Sequence, residues 1–294
     1  MQLFSSVVTS LVYVVIVSYV AAFVYFLAIY LVVHNNVVHV AAQVALWGNK
    51  CDLSISAGAS NYQTNVDPIG QAKLLQSNVL GDDDTSQVWR LLASKPQCCV
   101  DFILDNAGFE LFADLCLAEF LISSGTASRI RFHGKQMPWF VSDVTTSDWL
   151  WTLEQLSSSS TAALSRLGQR WQQYLSDGIW QFSTHPFWTL PYDFTSMKSA
   201  AQDLYDNLSA SDLVLFKGDL NYRKLVGDRA WPTTTPFTVA LCEFSPAPLC
   251  CLRTLKCDVV VGLPEGQAEL TEARAADWML TGSYAVIQFS NMAL

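Results

Sequence analysis

The chain has 294 residues, enough for one large α/β domain or a domain with a small attachment. Hydrophobic residues make up 51% and charged ones 15%, with a formal net charge of −9. That acidic balance excludes nucleic acid as a general partner, because phosphate backbones are bound through clustered Lys and Arg.

The charge is unevenly spread. No Lys, Arg, Asp or Glu occurs from Met1 to Asn49, and within that stretch Leu11–Val33 (LVYVVIVSYVAAFVYFLAIYLVV) is an unbroken apolar run of membrane-spanning length. Its physical reading is a spanning helix or signal anchor, giving membrane association through residues 11–33. A cleavable signal peptide fits less well, since there is no basic n-region and the run exceeds the usual h-region. The alternatives are a buried core helix or a non-native leader. The chain therefore divides into an apolar N-terminal segment, residues 1–45, and a catalytic domain, residues 46–294.

Leu46–Gly58 (LWGNKCDLSISAG) reads as a polar, turn-forming segment, and Gly81-Asp82-Asp83-Asp84 as a loop. Val88–Ala93 is a short helix candidate. Cys98–Leu104 (CCVDFIL) has the apolar continuity of a buried strand and ends at Asp105-Asn106-Ala107-Gly108. Phe109–Ser123 carries apolar residues at helical spacing, stopped by Gly125. Arg129–His133 alternates as a strand, and the chain then reaches Ser142-Asp143. Helices are expected over Thr146–Leu156, Ala162–Leu175 and Thr195–Leu208, with a strand at Trp180–Ser183. Asp212–Phe216 is a strand closing on Lys217-Gly218-Asp219, after which Asn221–Val226 opens a helix. Cys257–Val261 and Tyr284–Phe289 complete the predicted strands. Alternating strands and helices imply a three-layer α/β/α sandwich with a mainly parallel sheet.

The eight cysteines form no CxxC pair and no zinc spacing, and several lie in apolar runs. They read as reduced core residues, which favours a cytoplasmic catalytic domain. His133 and His185, flanked by apolar or aromatic residues, read as structural.

Ligands of open α/β sheets bind at the carboxyl ends of the strands. Three polar clusters fall there: Asp105-Asn106, Ser142-Asp143, and the run Lys217, Gly218, Asp219, Leu220, Asn221, Tyr222, Arg223, Lys224. Two carboxylates and a carboxamide are oxygen donors suited to Mg²⁺ or Mn²⁺. Helix capping is the rival reading for Asp105-Asn106 and Asp143, and a dipole-complementing acid is the plain reading of Glu110. Lys217, Arg223 and Lys224 point to phosphate binding, against an ordinary surface turn. Arg253 and Lys256 of RTLK add two cations, with a solvated strand edge as the rival.

Taken in order, NKCDLS, LDNAGFELFADL, PWFVSDVT, DLVLFKGDLNYRKL and RTLK resemble the damage-control phosphatase family, once called domain of unknown function 89. The branch is that of the acidic residue methyltransferase homologues, also called sugar phosphate phosphatases. The likeness runs from about Leu46 to the end. The family's helical N-terminal region is replaced here by the apolar stretch. The resemblance implies an α/β/α sandwich with an added helical portion, and metal ligation by Asp105, Asn106 and Asp143, with Mn²⁺, Co²⁺, Ni²⁺ or Mg²⁺ as the ion. It implies substrate contacts from Asp105, Asn106, the turn Asp219–Arg223 and Lys256, and hydrolysis of small-molecule sugar phosphates such as fructose 1-phosphate and fructose 6-phosphate. Under a carboxyl methyltransferase activity also assigned to this branch, Glu110 and Asp143 would touch S-adenosylmethionine. The residues themselves supply no Gly-rich loop for that cofactor. An inactive, membrane-tethered relative is the non-enzymatic alternative.

Overall fold

The computed structural model describes residues 37–56 and 68–291. The apolar run Leu11–Val33, and the membrane helix expected there, lie outside them. Among the described residues no helix is long and apolar enough to cross a membrane.

Six strands form one sheet: β1 (Cys98–Ile103), β2 (Ala127–Gly134), β3 (Trp180–Thr184), β4 (Leu213–Lys217), β5 (Leu249–Thr254) and β6 (Ala285–Ser290). Their order is β3-β2-β1-β4-β5-β6. The first five are parallel, and β6 runs antiparallel to β5. The order reverses direction at β1, so the crevice between the carboxyl ends of β1 and β4 is the switch point at which such sheets bind ligands.

Period-two alternation divides the strand side chains between two cores. Leu213, Leu215, Cys250, Leu252 and Ile287 enter one, while Val214, Phe216, Leu249, Cys251 and Val286 enter the other. The first core is roofed by α1 (Val37–Ser56), α4 (Phe109–Ser123), α5 (Thr146–Ser157) and α6 (Ala162–Ser176), with α2 (Pro68–Leu75) and α3 (Thr85–Ser94) at its margin. The second lies beneath α7 (Gln202–Ser209), α8 (Gly218–Leu225) and the aromatic loop carrying Phe187, Trp188 and Phe194. The result is the three-layer α/β/α sandwich with a mainly parallel sheet expected from the sequence. The short helix α9 (Gln267–Arg274) packs on the second core through Ala268.

Three local expectations are corrected. The part of Leu46–Gly58 up to Ser56 is helical, as the end of α1, rather than a turn. Leu46 and Trp47 are buried, and the burial of such residues outweighs the turn preference of Gly48 and Asn49. The helix Thr195–Leu208 is broken: short turns cover 194–200, Ala201 leaves helical geometry, and α7 restarts at Gln202. Cys257–Val261 is not a strand, although Val259–Val261 is buried. Its backbone is satisfied by side chains instead: Arg253 donates to the Val259 carbonyl at 2.6 Å, Gln288 donates to that of Val261 at 2.6 Å, and the Val261 N–H reaches the Tyr222 hydroxyl at 3.0 Å. The strand in this region is β5, just upstream. Both histidines are structural as read: His133 is buried against Asp101 at 2.8 Å, and His185 accepts the Phe187 N–H at 3.1 Å.

Candidate active site at the sheet switch point

β1 delivers Asp105 and Asn106 to the crevice two and three residues after its last paired position, Ile103. The loop after β2 returns beside them, so that Asn106 and Asp143 form an isolated antiparallel bridge. The Asp105 carbonyl accepts the Val144 N–H at 2.8 Å, and the Ser142 carbonyl accepts the Ala107 N–H at 2.8 Å. These bonds bring Asp105, Asn106 and Asp143 together. The Asn106 amide donates to Asp105 Oδ2 at 2.7 Å and to Glu110 Oε2 at 3.0 Å, while its Oδ1 accepts the Ser142 hydroxyl at 2.5 Å. Thr145, not Asp143, caps α5, through a capping box with Asp148. No side-chain cap is made at the start of α4, where Gly108 holds φ 88°. Capping therefore accounts for neither Asp105 nor Asp143.

Gly218 begins α8 at φ +82°, where its missing side chain leaves room for the Asp105 carboxyl group; a Cβ there would lie 2.8 Å from Asp105 Cβ and closer still to the carboxylate. Across the site, α1 approaches α4 so closely that a Cβ on Gly48 would sit 2.9 Å from Glu110 Cα.

Electrostatically the site is a cluster of buried acids. Asp105, Glu110, Asp114 and Asp143 are all buried, facing the buried ammonium groups of Lys135 and Lys217. Burial, reinforced by Glu110 and Asp143, pushes the Asp105 pKa well above the usual carboxylate range, against the pull of Lys135 and Lys256. Burial likewise pushes Asp143 up to about 6, with Lys135 opposing. Asp114 is pushed up to about 7 by burial despite Lys217 at 2.7 Å. Burial works against the Lys217 charge, but Asp114 and Glu110 outweigh it and raise its pKa.

The remaining sequence-derived residues occupy different surroundings. Lys217 ends β4 and is wholly engaged inside, on Glu110 at 3.1 Å, Asp114, and the Ala45 carbonyl of α1 at 2.6 Å. Asp219 accepts from Arg253 Nε at 2.9 Å and from the Lys256 N–H at 3.0 Å, tying α8 to the end of β5. Arg253 is fully buried, contrary to the solvated edge read for RTLK. Leu220 is half-buried on α8. Asn221 is buried, donating to the Lys217 carbonyl at 2.8 Å and more weakly to that of Leu104 at 3.3 Å. Tyr222 is buried beneath Arg253, whose guanidinium lies 4.1 Å from the ring centroid. Arg223 points outward into a bidentate pair with Asp228, at 2.8 and 2.6 Å. Lys224 donates to the carbonyls of Trp188 and Leu190.

Lys135, Asp114 and Gly218 complete the site without having been assigned a role from sequence. Lys135 had a usable signal, a lone cation at the carboxyl end of β2. Asp114 had another, since it lies four residues after Glu110 on one face of a mostly apolar helix.

The donor set fits a divalent cation. Four buried carboxylic acids gather against two buried ammonium groups, and burial with neighbouring acids raises the pKa of Asp105, Asp143 and Asp114, a crowding that a bound cation would relieve. Asp143 Oδ2 makes no hydrogen bond and is held only by the 3.4 Å ion pair with Lys135. Among the described residues no group of three or more His, Cys, Asp or Glu is placed to hold a metal. The set available is thus two carboxylates and the Asn106 amide, oxygen donors of the kind Mg²⁺ and Mn²⁺ take.

Comparison with known proteins gives the family of the chain. A "Damage-control phosphatase ARMT1" from Danio rerio is 53% identical over 257 residues, covering 85% of this chain and 57% of that relative. Proteins of the same name from Rattus norvegicus and Homo sapiens are 49% and 44% identical, each over 84% of this chain and 57% of theirs. The chain thus spans 57% of the length of these relatives. A crystal structure of a DUF89 family protein from Pyrococcus horikoshii aligns with TM-score 0.47 and 15% identity, over 85% of this chain and 64% of that one. The family model described as "Damage-control phosphatase ARMT1-like domain" matches residues 26–271, and with that coverage the chain belongs to the ARMT1-like damage-control phosphatases.

Proposed function

We propose that the domain is a metal-dependent phosphomonoester hydrolase acting on sugar phosphates, with fructose 1-phosphate and fructose 6-phosphate as its first candidates. The observation that carries this reading is the convergence of Asp105, Asn106 and Asp143 in the switch-point crevice, where buried acids outnumber buried ammonium groups. These three residues would hold the cation. When bound, such an ion polarises a phosphoryl oxygen and lowers the pKa of a water.

The chain's own residues supply the rest. Asp105 and Asp143 present carboxyl oxygens on both sides of the crevice, fixed through the Asn106–Asp143 bridge and the Gly218 gap. Asp143, whose Oδ2 has no hydrogen-bond donor, can also orient an attacking water. Asp219 holds the backbone of Lys256 at the rim, where its ammonium offsets charge on the transferring phosphoryl group. Lys217 acts from beneath by keeping Glu110 and Asp114 compensated. The sugar would lie along the exposed side of α8, near Asp219 and Leu220.

The test is Mn²⁺-dependent release of phosphate from the two fructose phosphates, with Asp105→Asn as the control. The variant should fold and lose activity. A folded wild-type protein that releases no phosphate from any hexose phosphate with Mn²⁺, Mg²⁺, Co²⁺ or Ni²⁺ would sink the proposal. Calorimetry with S-adenosylmethionine tests the methyl-transfer alternative separately.

A further inference from the structure

Lys135 is the one site residue whose placement is explained neither by the sheet nor by the substrate contacts above. It directly follows β2 and is 1% exposed. Its backbone N–H is fixed to the Val144 carbonyl at 2.8 Å, and its ammonium donates to the Leu104 carbonyl at 2.7 Å. From that anchor the charge faces Asp143 Oδ2 at 3.4 Å, with Asp105 also in its field. The ammonium is thus bonded firmly to the end of β1 but touches the carboxylate only through charge.

We propose that Lys135 is the resident counter-cation of this site, a positioning residue that acts through Asp143. It stands in for the metal when the site is empty and weakens the metal's hold when the site is filled. The inference rests on the metal-site reading above. Two properties of the geometry support it. An oxygen held by charge without a directed bond is available to a harder cation, so loading need not break a hydrogen bond. An ammonium pinned to a backbone carbonyl stays beside the incoming ion, and like charges in a buried site repel strongly. Lys135 would then keep the empty domain folded, at the expense of metal affinity.

The test compares wild type with Lys135→Met, which keeps the stem and removes the charge. Thermal unfolding is followed in EDTA and in a Mn²⁺ series, and Mn²⁺ binding is measured directly by calorimetry. The variant should unfold at a lower temperature than wild type in EDTA, gain a larger Tm increase from Mn²⁺, and bind Mn²⁺ at least tenfold more tightly. Weaker Mn²⁺ binding, or a smaller Tm increase, would make Lys135 a plain support for Asp143 and overturn the proposal. So would equal stability of the two proteins in EDTA. If Lys135→Met fails to fold even with Mn²⁺, the double variant Lys135→Met/Asp143→Asn decides. Recovery of the fold supports charge compensation, and continued misfolding refutes it. Wild-type protein that binds no Mn²⁺ refutes both this inference and the metal site. Wild-type protein that binds Mn²⁺ without hydrolysing sugar phosphates refutes only the phosphatase reading.

Discussion

Gly218→Ala is the sharpest test of how α8 is fitted to the acid on β1. The residue sits at φ +82°, and a Cβ there would lie 2.8 Å from Asp105 Cβ and deeper inside the carboxylate. The left-handed backbone costs about 1–2 kcal/mol for alanine. Overpacking adds about 1–3 kcal/mol, because Gly218 and Asp105 are both buried and the clash reaches back to Asp105 Cβ, which no rotation of the carboxyl group removes. The expected loss is about 2–5 kcal/mol, and about 2–4 °C of Tm follows from each kcal/mol in a domain of this size. The carboxyl group must retreat by about 1 Å or more to reach ordinary contact, a displacement that costs about a hundredfold in rate at a catalytic centre. Urea unfolding gives the first quantity, and phosphate release at saturating substrate gives the second. A variant within about 0.5 kcal/mol of wild type, the usual spread for neutral surface changes, would refute the argument. Lost stability with full activity would show instead that Asp105 is not a reacting-site residue.

Three further outcomes follow from neighbouring groups. Asp219→Ala leaves the fully buried Arg253 without its carboxylate and should cost about 3–5 kcal/mol by urea unfolding, whereas Asp219→Ala paired with Arg253→Met should recover part of that loss. Asp114 keeps a proton in the folded state up to about 7 that the unfolded chain releases near its ordinary value of 3.8. The folded state therefore binds more protons between those values, so this group's contribution to stability falls as pH rises from about 4 to about 7; Asp114→Asn should flatten that limb in urea titrations across the range. For Asp101 the sign is opposite. Burial pushes its pKa up, but His133 and Arg131 outweigh burial and hold it low, so its contribution is present above its unfolded value and is lost as pH falls towards the folded one. Asp101→Asn should lower stability at pH 7 and leave phosphate release per folded molecule unchanged.

Much of this was legible beforehand because strand ends announce themselves. CCVDFIL is too apolar for anything but a buried strand, so the acid that follows it had to stand at the carboxyl end of a sheet. The same logic placed Lys217 at the end of β4, whereas Asp143 comes from the loop after β2. What the residues could not disclose was pairing in space. Lys217 has the composition of a phosphate-binding cation, yet its partners Glu110 and Asp114 lie on a helix about a hundred residues earlier, and its third partner is a carbonyl of α1. Arg253 was misread for the same reason. A guanidinium in RTLK looks solvated until Asp219, from another βα junction, is found beside it. Strand β5 was missed because its two cysteines and its buried arginine give little alternation, while the more apolar Val259–Val261 next to it drew the assignment. The segment Leu46–Gly58 reads as a turn because NKCDLS is rich in turn formers, and burial of α1 in the first core makes it helical up to Ser56.

The adjacent thiols of β5 give the molecule a pair of internal reporters. Cys250 faces one core and Cys251 the other, both are buried, and burial pushes both thiols up in pKa. Neither can meet an alkylating reagent unless the layer above it lifts. One residue apart on a single strand, they would be labelled at the same rate if the sandwich opens as a unit, and at different rates if one helical layer peels from the sheet before the other.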